Sequence, residues 1–247
     1  MHMPFRVHSH GASDVGLVRT NNEDAWFASP DGRVFLIADG LGGHQAGEVA
    51  ARESVEWFLS AFLSAFPEKA DYHPTNEEIT KQLQSCFDTT NGHVFQLSEQ
   101  HELLRGMGTT FCSLSFHDDG AAVAHVGDSR IYRHRDGELS QLTKDHCWTQ
   151  ALFVVPEIEG QHTKGILTKA LGTMPSIDPT IQILPVQSHD TFLLCTDGLS
   201  DMLSHDEIES VLNRPMTIGE RVRMLIAQAK QKGGADNITV VLVEVLS

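Results

Sequence analysis

The 247-residue sequence predicts an α+β protein in which antiparallel strands pack beneath helices. Three patterns point there. Short apolar or alternating runs bounded by Asp-Gly turns occupy both ends of the chain. Two long stretches in the first half carry apolar residues at helical spacing. Two helix-start signals stand just before a last apolar run.

Taken in order, Asp24–Ala28 and Arg33–Ala38 read as a hairpin, because Asp31-Gly32 between them is a strong turn signal. Val49, Val55, Phe58, Leu59 and Phe62 share one helical face, which predicts a helix over Glu48–Phe66. Thr75 and Glu78 have capping-box spacing and open a second helix that runs to Gln96 or beyond. In Phe111–Phe116, Cys112, Leu114 and Phe116 alternate with Ser113 and Ser115, the two-residue period of a strand. Ala121–Val126 and Ile131–Arg135 follow as strands, with Asp136-Gly137 as a further turn. Thr180–Val186, Thr191–Cys195 and Ile238–Val245 complete the β content. Ser204 with Glu207 and Thr217 with Glu220 open two more helices that end before Gly233-Gly234. No repeat or low-complexity linker interrupts the chain, so residues 1–247 are expected to form one domain.

Composition narrows the function. Lys and Arg total 18 against 33 Asp and Glu, a formal net charge of -15. Such a surface repels nucleic-acid phosphates, so no DNA or RNA partner is expected. Cys86, Cys112, Cys147 and Cys195 form no CxxC pair, which speaks against a zinc knuckle or redox motif and for a reducing compartment. There is no long apolar run and no signal-peptide pattern, so a cytoplasmic protein without a membrane partner is expected.

The placement of the aspartates is the most informative feature. Asp39 follows the apolar run ending at Ala38, Asp128 follows Ala124–Gly127, and Asp197 follows Phe192–Thr196. Asp236 lies in a Gly-rich turn before Ile238. Each carboxylate thus emerges where a buried strand surfaces, and rigid strands can aim all four at one point. Carboxylates gathered in this way repel one another unless a cation joins them. Their hard oxygens favour magnesium or manganese. Gly40 and Gly198, next to Asp39 and Asp197, are expected to permit turns and to let a backbone carbonyl approach the ion.

These residues fall within a series of motifs that resembles the protein phosphatase 2C-like (PPM) family, especially its bacterial members. The series begins with Ser13–Arg19 and Asn22–Ala25, then Ala38–His44 with Gly47-Glu48. Gly106–Thr110, Val126–Tyr132, Leu142–His146 and Leu167–Gly172 follow. Leu194–Leu199 and Gly234–Thr239 close the set, all in family order from about Ser13 to Val245. The resemblance implies a central sandwich of two antiparallel sheets flanked by pairs of helices, with a two-ion Mn2+ or Mg2+ centre at one end. It implies that Asp39 bridges two ions, that the Gly40 carbonyl and Glu23 (directly or through water) bind the second, and that Asp197 and Asp236 hold the first. Asp128, with Asp197, is the counterpart of a third, weaker site. Arg19 would clamp the substrate phosphate, and Asp24 would support the cluster. The implied activity is hydrolysis of phosphoserine and phosphothreonine in proteins by a hydroxide bridging the ions. Phosphorylated proteins, among them a Ser/Thr kinase and its targets, are the implied partners of a monomeric enzyme.

Covalent routes are poorly represented. No cysteine has Arg six residues on, the positions being Gly92, Asp118, Phe153 and Asp201, and neither an aspartyl-phosphate motif nor a Walker loop is present. Two departures from the family pattern stand out. Leu41 follows Asp39-Gly40 where eukaryotic relatives carry His, leaving His44 and an ion-bound water as candidate general acids. The flap between His146 and Leu167 is short, and its Trp148 and Leu152–Val155 either pack on the sheet or form a lip facing the substrate. An inactive phosphoprotein-binding module on the same fold is the alternative function.

Overall fold

The computed structural model describes residues 6–42, 45–67, 72–118, 120–148 and 166–246. In chain order the elements begin with β1 (Arg6–Asp14), β2 (Asp24–Ala28), β3 (Val34–Leu41), α1 (Gln45–Ala65) and α2 (Asn76–Gln100). Next come β4 (Gly108–Thr109), β5 (Phe111–His117), β6 (Gly120–Val126), β7 (Arg130–Arg135), β8 (Glu138–Gln141), β9 (Cys147–Trp148) and β10 (Ile166–Leu167). The last are β11 (Thr180–Leu184), β12 (Thr191–Cys195), α3 (Asp197–Ser200), α4 (His205–Leu212), α5 (Ile218–Gln231) and β13 (Ile238–Leu246).

The strands form two main antiparallel sheets, one in the order β1-β13-β12-β7-β8 and the other β11-β6-β5-β3-β2, with β4 added to β3, and β9 pairs with β10 as a separate antiparallel ribbon. The two-residue period sorts each strand's side chains. In β3, Phe35 and Ile37 face the other sheet, where Phe192, Leu194, Val241 and Val243 meet them. Val34, Leu36 and Ala38 face outward onto Val55, Phe58 and Phe62 of α1 and Leu83 and Phe87 of α2. The opposite sheet does the same, burying Leu193, Cys195, Val240 and Leu242 against Ile208, Val222 and Leu225 of α4 and α5. Helix pairs therefore cover both outer faces of an α+β sandwich.

All three capping boxes are present, at Thr75–Glu78, Ser204–Glu207 and Thr217–Glu220. Asp136 and Gly137 both have positive φ, 54° and 87°, the primed turn that suits the twist of a two-residue hairpin. Some elements differ from expectation. Helix α1 starts three residues before Glu48, and Thr180–Val186 pairs only as far as Leu184. Both faces of β5 are buried, and Ser115 Oγ bonds His117 Nε2 at 2.9 Å. Strand β1, not anticipated, pairs with β13 from Arg6↔Leu246 to Asp14↔Ile238. It is an edge strand whose polar VHSHG stretch lacks an apolar signal. Among the described residues no helix is long and apolar enough to cross a membrane.

Candidate active site

At one end of the sandwich, Arg19, Glu23, Asp39, Gly40, Leu41, Asp128, Leu167, Asp197, Asp236 and Asn237 line a single cleft of about 220 Å3. The strands deliver them. Asp39 lies near the end of β3, opposite Asp24 in the register of β2. Asp128 follows β6, Asp197 opens α3 directly after β12, and Asp236 lies in the turn before β13. Seven positions expected from the sequence thus meet: Arg19, Glu23, Asp39, Gly40, Asp128, Asp197 and Asp236. His44 and residues 149–165, which include Leu152–Val155 of the flap, lie outside the described residues. Trp148 is exposed.

A polar scaffold fixes these carboxylates. Thr110 N and Thr109 Oγ1 donate to the Asp39 carbonyl at 2.9 and 2.8 Å, and Asp39 N donates to Thr110 Oγ1 at 3.1 Å. Thr110 Oγ1 also bonds Ser129 Oγ at 2.7 Å, so the turn carrying Asp128 is tied to the strand carrying Asp39. Asn237 organises the other side. Its Oδ1 accepts from Glu23 N at 2.8 Å, and its Nδ2 donates to the carbonyls of Val15 and Asn21 at 3.0 and 2.8 Å. Asp236 Oδ1 accepts from Asn237 N, and its Oδ2 accepts from Arg19 Nη2, both at 2.9 Å. The Arg19 side chain is 51% exposed, leaving much of its guanidinium open at the rim.

Asp24 stands behind the cleft. Its Oδ2 accepts from Thr196 Oγ1 at 3.0 Å and Thr239 Oγ1 at 2.6 Å, whereas its Oδ1 is buried without a hydrogen bond. This geometry makes it a supporting acceptor. Gly40 lies within β3 rather than in a turn, and Gly198 lies in the first turn of α3, directly after β12. Neither Gly40 nor Gly198 has a positive φ. Both are needed for close approach, since a Cβ on Gly40 would lie 2.2 Å from Gly47 O and one on Gly198 1.9 Å from Asn237 O. Gly47 in turn admits the Glu23 carboxylate, whose Oε2 would lie 2.0 Å from an added Cβ.

Charge is crowded here. Desolvation, then Asp24, Asp197, Asp236 and Asp128, push the Asp39 carboxyl well above the usual range. Burial raises Asp24 to about 7 despite its hydroxyl donors, with Asp197 and Asp236 adding to the rise. Burial and Asp197 likewise raise Asp128. Among the described residues no group of three or more His, Cys, Asp and Glu side chains is arranged to hold an ion as it stands. The donor chemistry nonetheless fits a hard divalent cation: every polar group of the acidic cluster offers oxygen, and the desolvated carboxylates need a positive partner.

Three of the residues that shape the site, Leu41, Leu167 and Asn237, carried no role in the sequence reading. Asn237 stands in the Gly234–Thr239 motif directly after Asp236, a placement that named no role for it. The threonines Thr109, Thr110, Thr196 and Thr239 also fall in these motifs, but their bonding depends on strand register and was not readable.

The protein phosphatase 2C family model matches residues 18–233. The serine/threonine phosphatase stp of Listeria monocytogenes is 35% identical over 246 residues, covering 96% of each chain. The protein phosphatase PhpP of Streptococcus pneumoniae is 36% identical over 94% of each. The crystal structure of the Mycobacterium tuberculosis serine/threonine phosphatase PstP/Ppp superposes with a TM-score of 0.83 at 33% identity, covering 98% of this chain and 99% of that one. The catalytic domain of PstP in complex with two manganese ions gives a TM-score of 0.82 at 34% identity, again over 98% and 99%. The chain belongs to the protein phosphatase 2C family.

Proposed function

We propose that this chain is a metal-dependent protein serine/threonine phosphatase that hydrolyses phosphoserine and phosphothreonine monoesters. The observation that carries this reading is the meeting of Glu23, Asp39, Asp128, Asp197 and Asp236 with Arg19 in one cleft. On this reading Asp39 bridges two Mn2+ or Mg2+ ions, Asp197 and Asp236 hold the first, and the Gly40 carbonyl and Glu23 hold the second. Asp128 joins Asp197 at a third, weaker site. The ions, when bound, supply a hydroxide nucleophile at neutral pH and neutralise charge on the phosphoryl oxygens. Arg19 exchanges its bond to Asp236 for the substrate phosphate, which its planar fork suits. Leu41 and Leu167 add apolar walls around the reacting group. The general acid is His44 or water.

Phosphorylated proteins, including a Ser/Thr kinase and its targets, are the partners this activity requires. We read the chain as a single catalytic domain that works as a monomer in the cytoplasm. The inactive-module alternative finds no support, because Asp39, Asp197 and Asp236 all face the cleft. Purified protein with Mn2+, a phosphothreonine peptide and an aryl phosphate tests the proposal. Metal-dependent turnover of both, abolished by EDTA and restored by Mn2+ or Mg2+, is expected. No turnover with any divalent metal would refute it.

A further inference from the structure

We propose that His146 is the positioning residue that holds the Asp128 carboxylate at the cleft and joins it to the strands leading into and out of residues 149–165. The proposal rests on reading Asp128 as a cation ligand. His146 does not line the cleft with Asp128, so its influence passes through neighbouring groups.

His146 grips the residue before Asp128 from both sides. His146 N donates to Gly127 O at 2.9 Å, and Gly127 N donates to His146 Nδ1 at 3.1 Å. One step further along each chain, Cys147 Sγ donates to Asp128 Oδ2 at 3.2 Å. The dipeptides Gly127-Asp128 and His146-Cys147 are therefore mated residue by residue. The turn has little slack: Gly127 has φ +105°, and an added Cβ would lie 2.6 Å from Thr110 Cβ. Thr110 is the residue that also pins Asp39.

The imidazole is itself held on every side. Because Nδ1 accepts from Gly127, Nε2 carries the proton and donates to Thr180 Oγ1 at 3.0 Å. The ring stacks on His125, with centroids 4.5 Å apart and planes 9° from parallel. His125 is buried and fixed by its own bond to Lys144 O at 2.9 Å. Burial and the neighbouring His125 push the His146 pKa down to about 4, which keeps the ring neutral and Nδ1 free to accept. The His146 carbonyl accepts from both Thr168 N and Thr168 Oγ1 at 2.8 Å, joining β9's approach to the chain after β10. A single residue thus connects the Asp128 turn, the β9–β10 ribbon and β11.

Groups that orient a metal ligand change metal affinity by about 10–100-fold when removed. Calorimetric titration of the full chain with Mn2+ provides the test, using wild type, His146→Ala, His146→Asn and His146→Gln. Asn places an acceptor where Nδ1 stood, whereas Gln reaches only toward Thr180. We expect the wild type to show two tight ions and one weaker ion. His146→Ala and His146→Gln should weaken the third ion by about 10–100-fold and leave the tight pair within about twofold, and His146→Asn should recover most of the loss. Should the alanine variant fail to fold, the glutamine variant, which keeps side-chain bulk, decides the matter. Weak-site affinity unchanged in both variants would overturn the proposal. So would equal loss at all three ions with a lowered thermal midpoint, which marks a merely structural role. A wild type lacking any weaker ion overturns the reading of Asp128 as a ligand, and the proposal with it.

Discussion

Replacing Asp24 with Asn should make the cation-free protein more stable at alkaline pH and leave its stability in acid nearly unchanged. Asp24 has an ordinary value of 3.8 but stands at about 7 in the fold, raised first by burial and then by Asp197 and Asp236. A group whose folded pKa lies above its unfolded one favours the fold at low pH, and that contribution is lost as pH rises through the folded value. The window therefore runs from about pH 4 to about pH 8. The rise corresponds to a ceiling of about 4 kcal/mol, at about 1.4 kcal/mol per pH unit. The asparagine amide must still be buried, and neighbouring carboxylates share the strain. A gain of about 1–3 kcal/mol is therefore expected at pH 8, and about zero at about pH 3.5, below the unfolded value. Asn Oδ1 can still accept from Thr196 and Thr239, so the scaffold is kept. Urea unfolding in EDTA at the two pH values measures the difference. Equal stability of wild type and Asp24→Asn at pH 8, or the same difference at both pH values, would refute the reasoning.

Gly198→Ala forces a Cβ to within 1.9 Å of the Asn237 carbonyl. It should cost about 1–3 kcal/mol in urea unfolding and weaken Mn2+ binding through displacement of Asp197. Arg19→Ala should lower kcat/KM for a phosphopeptide by about 10–100-fold, the value of a charge-assisted bond to phosphate, with the melting temperature little changed. A smaller kinetic effect would take Arg19 out of phosphate binding. Thr217→Ala removes the capping box of α5 and should cost about 1 kcal/mol without changing turnover.

The fold was legible where burial writes a clear pattern. The continuous apolar run Val34–Ala38 after the Asp31-Gly32 turn marks β3, and the spacing of Thr75, Ser204 and Thr217 with their glutamates marks three helix starts. Strand β1 was not legible, because an edge strand can be polar on much of its surface. The acidic cluster could be read because each carboxylate terminates an apolar run or abuts a Gly-rich turn. What could not be read is how it is held. The bonds of Asn237 to Glu23, Val15 and Asn21 join residues more than 200 positions apart, and only the pairing of β13 with β1 brings them together. Asp-Gly gave no sign of the close approach of a distant backbone at Gly40 and Gly198, where there is no room for a Cβ.

The most direct measurement is a crystal grown with Mn2+ and examined by anomalous scattering. Two ions about 3.5–4 Å apart, with Asp39 between them, Asp197 and Asp236 on one and the Gly40 carbonyl on the other, is the predicted result. Carboxylates turned to separate positions around an empty cleft, in protein that remains active, would contradict it.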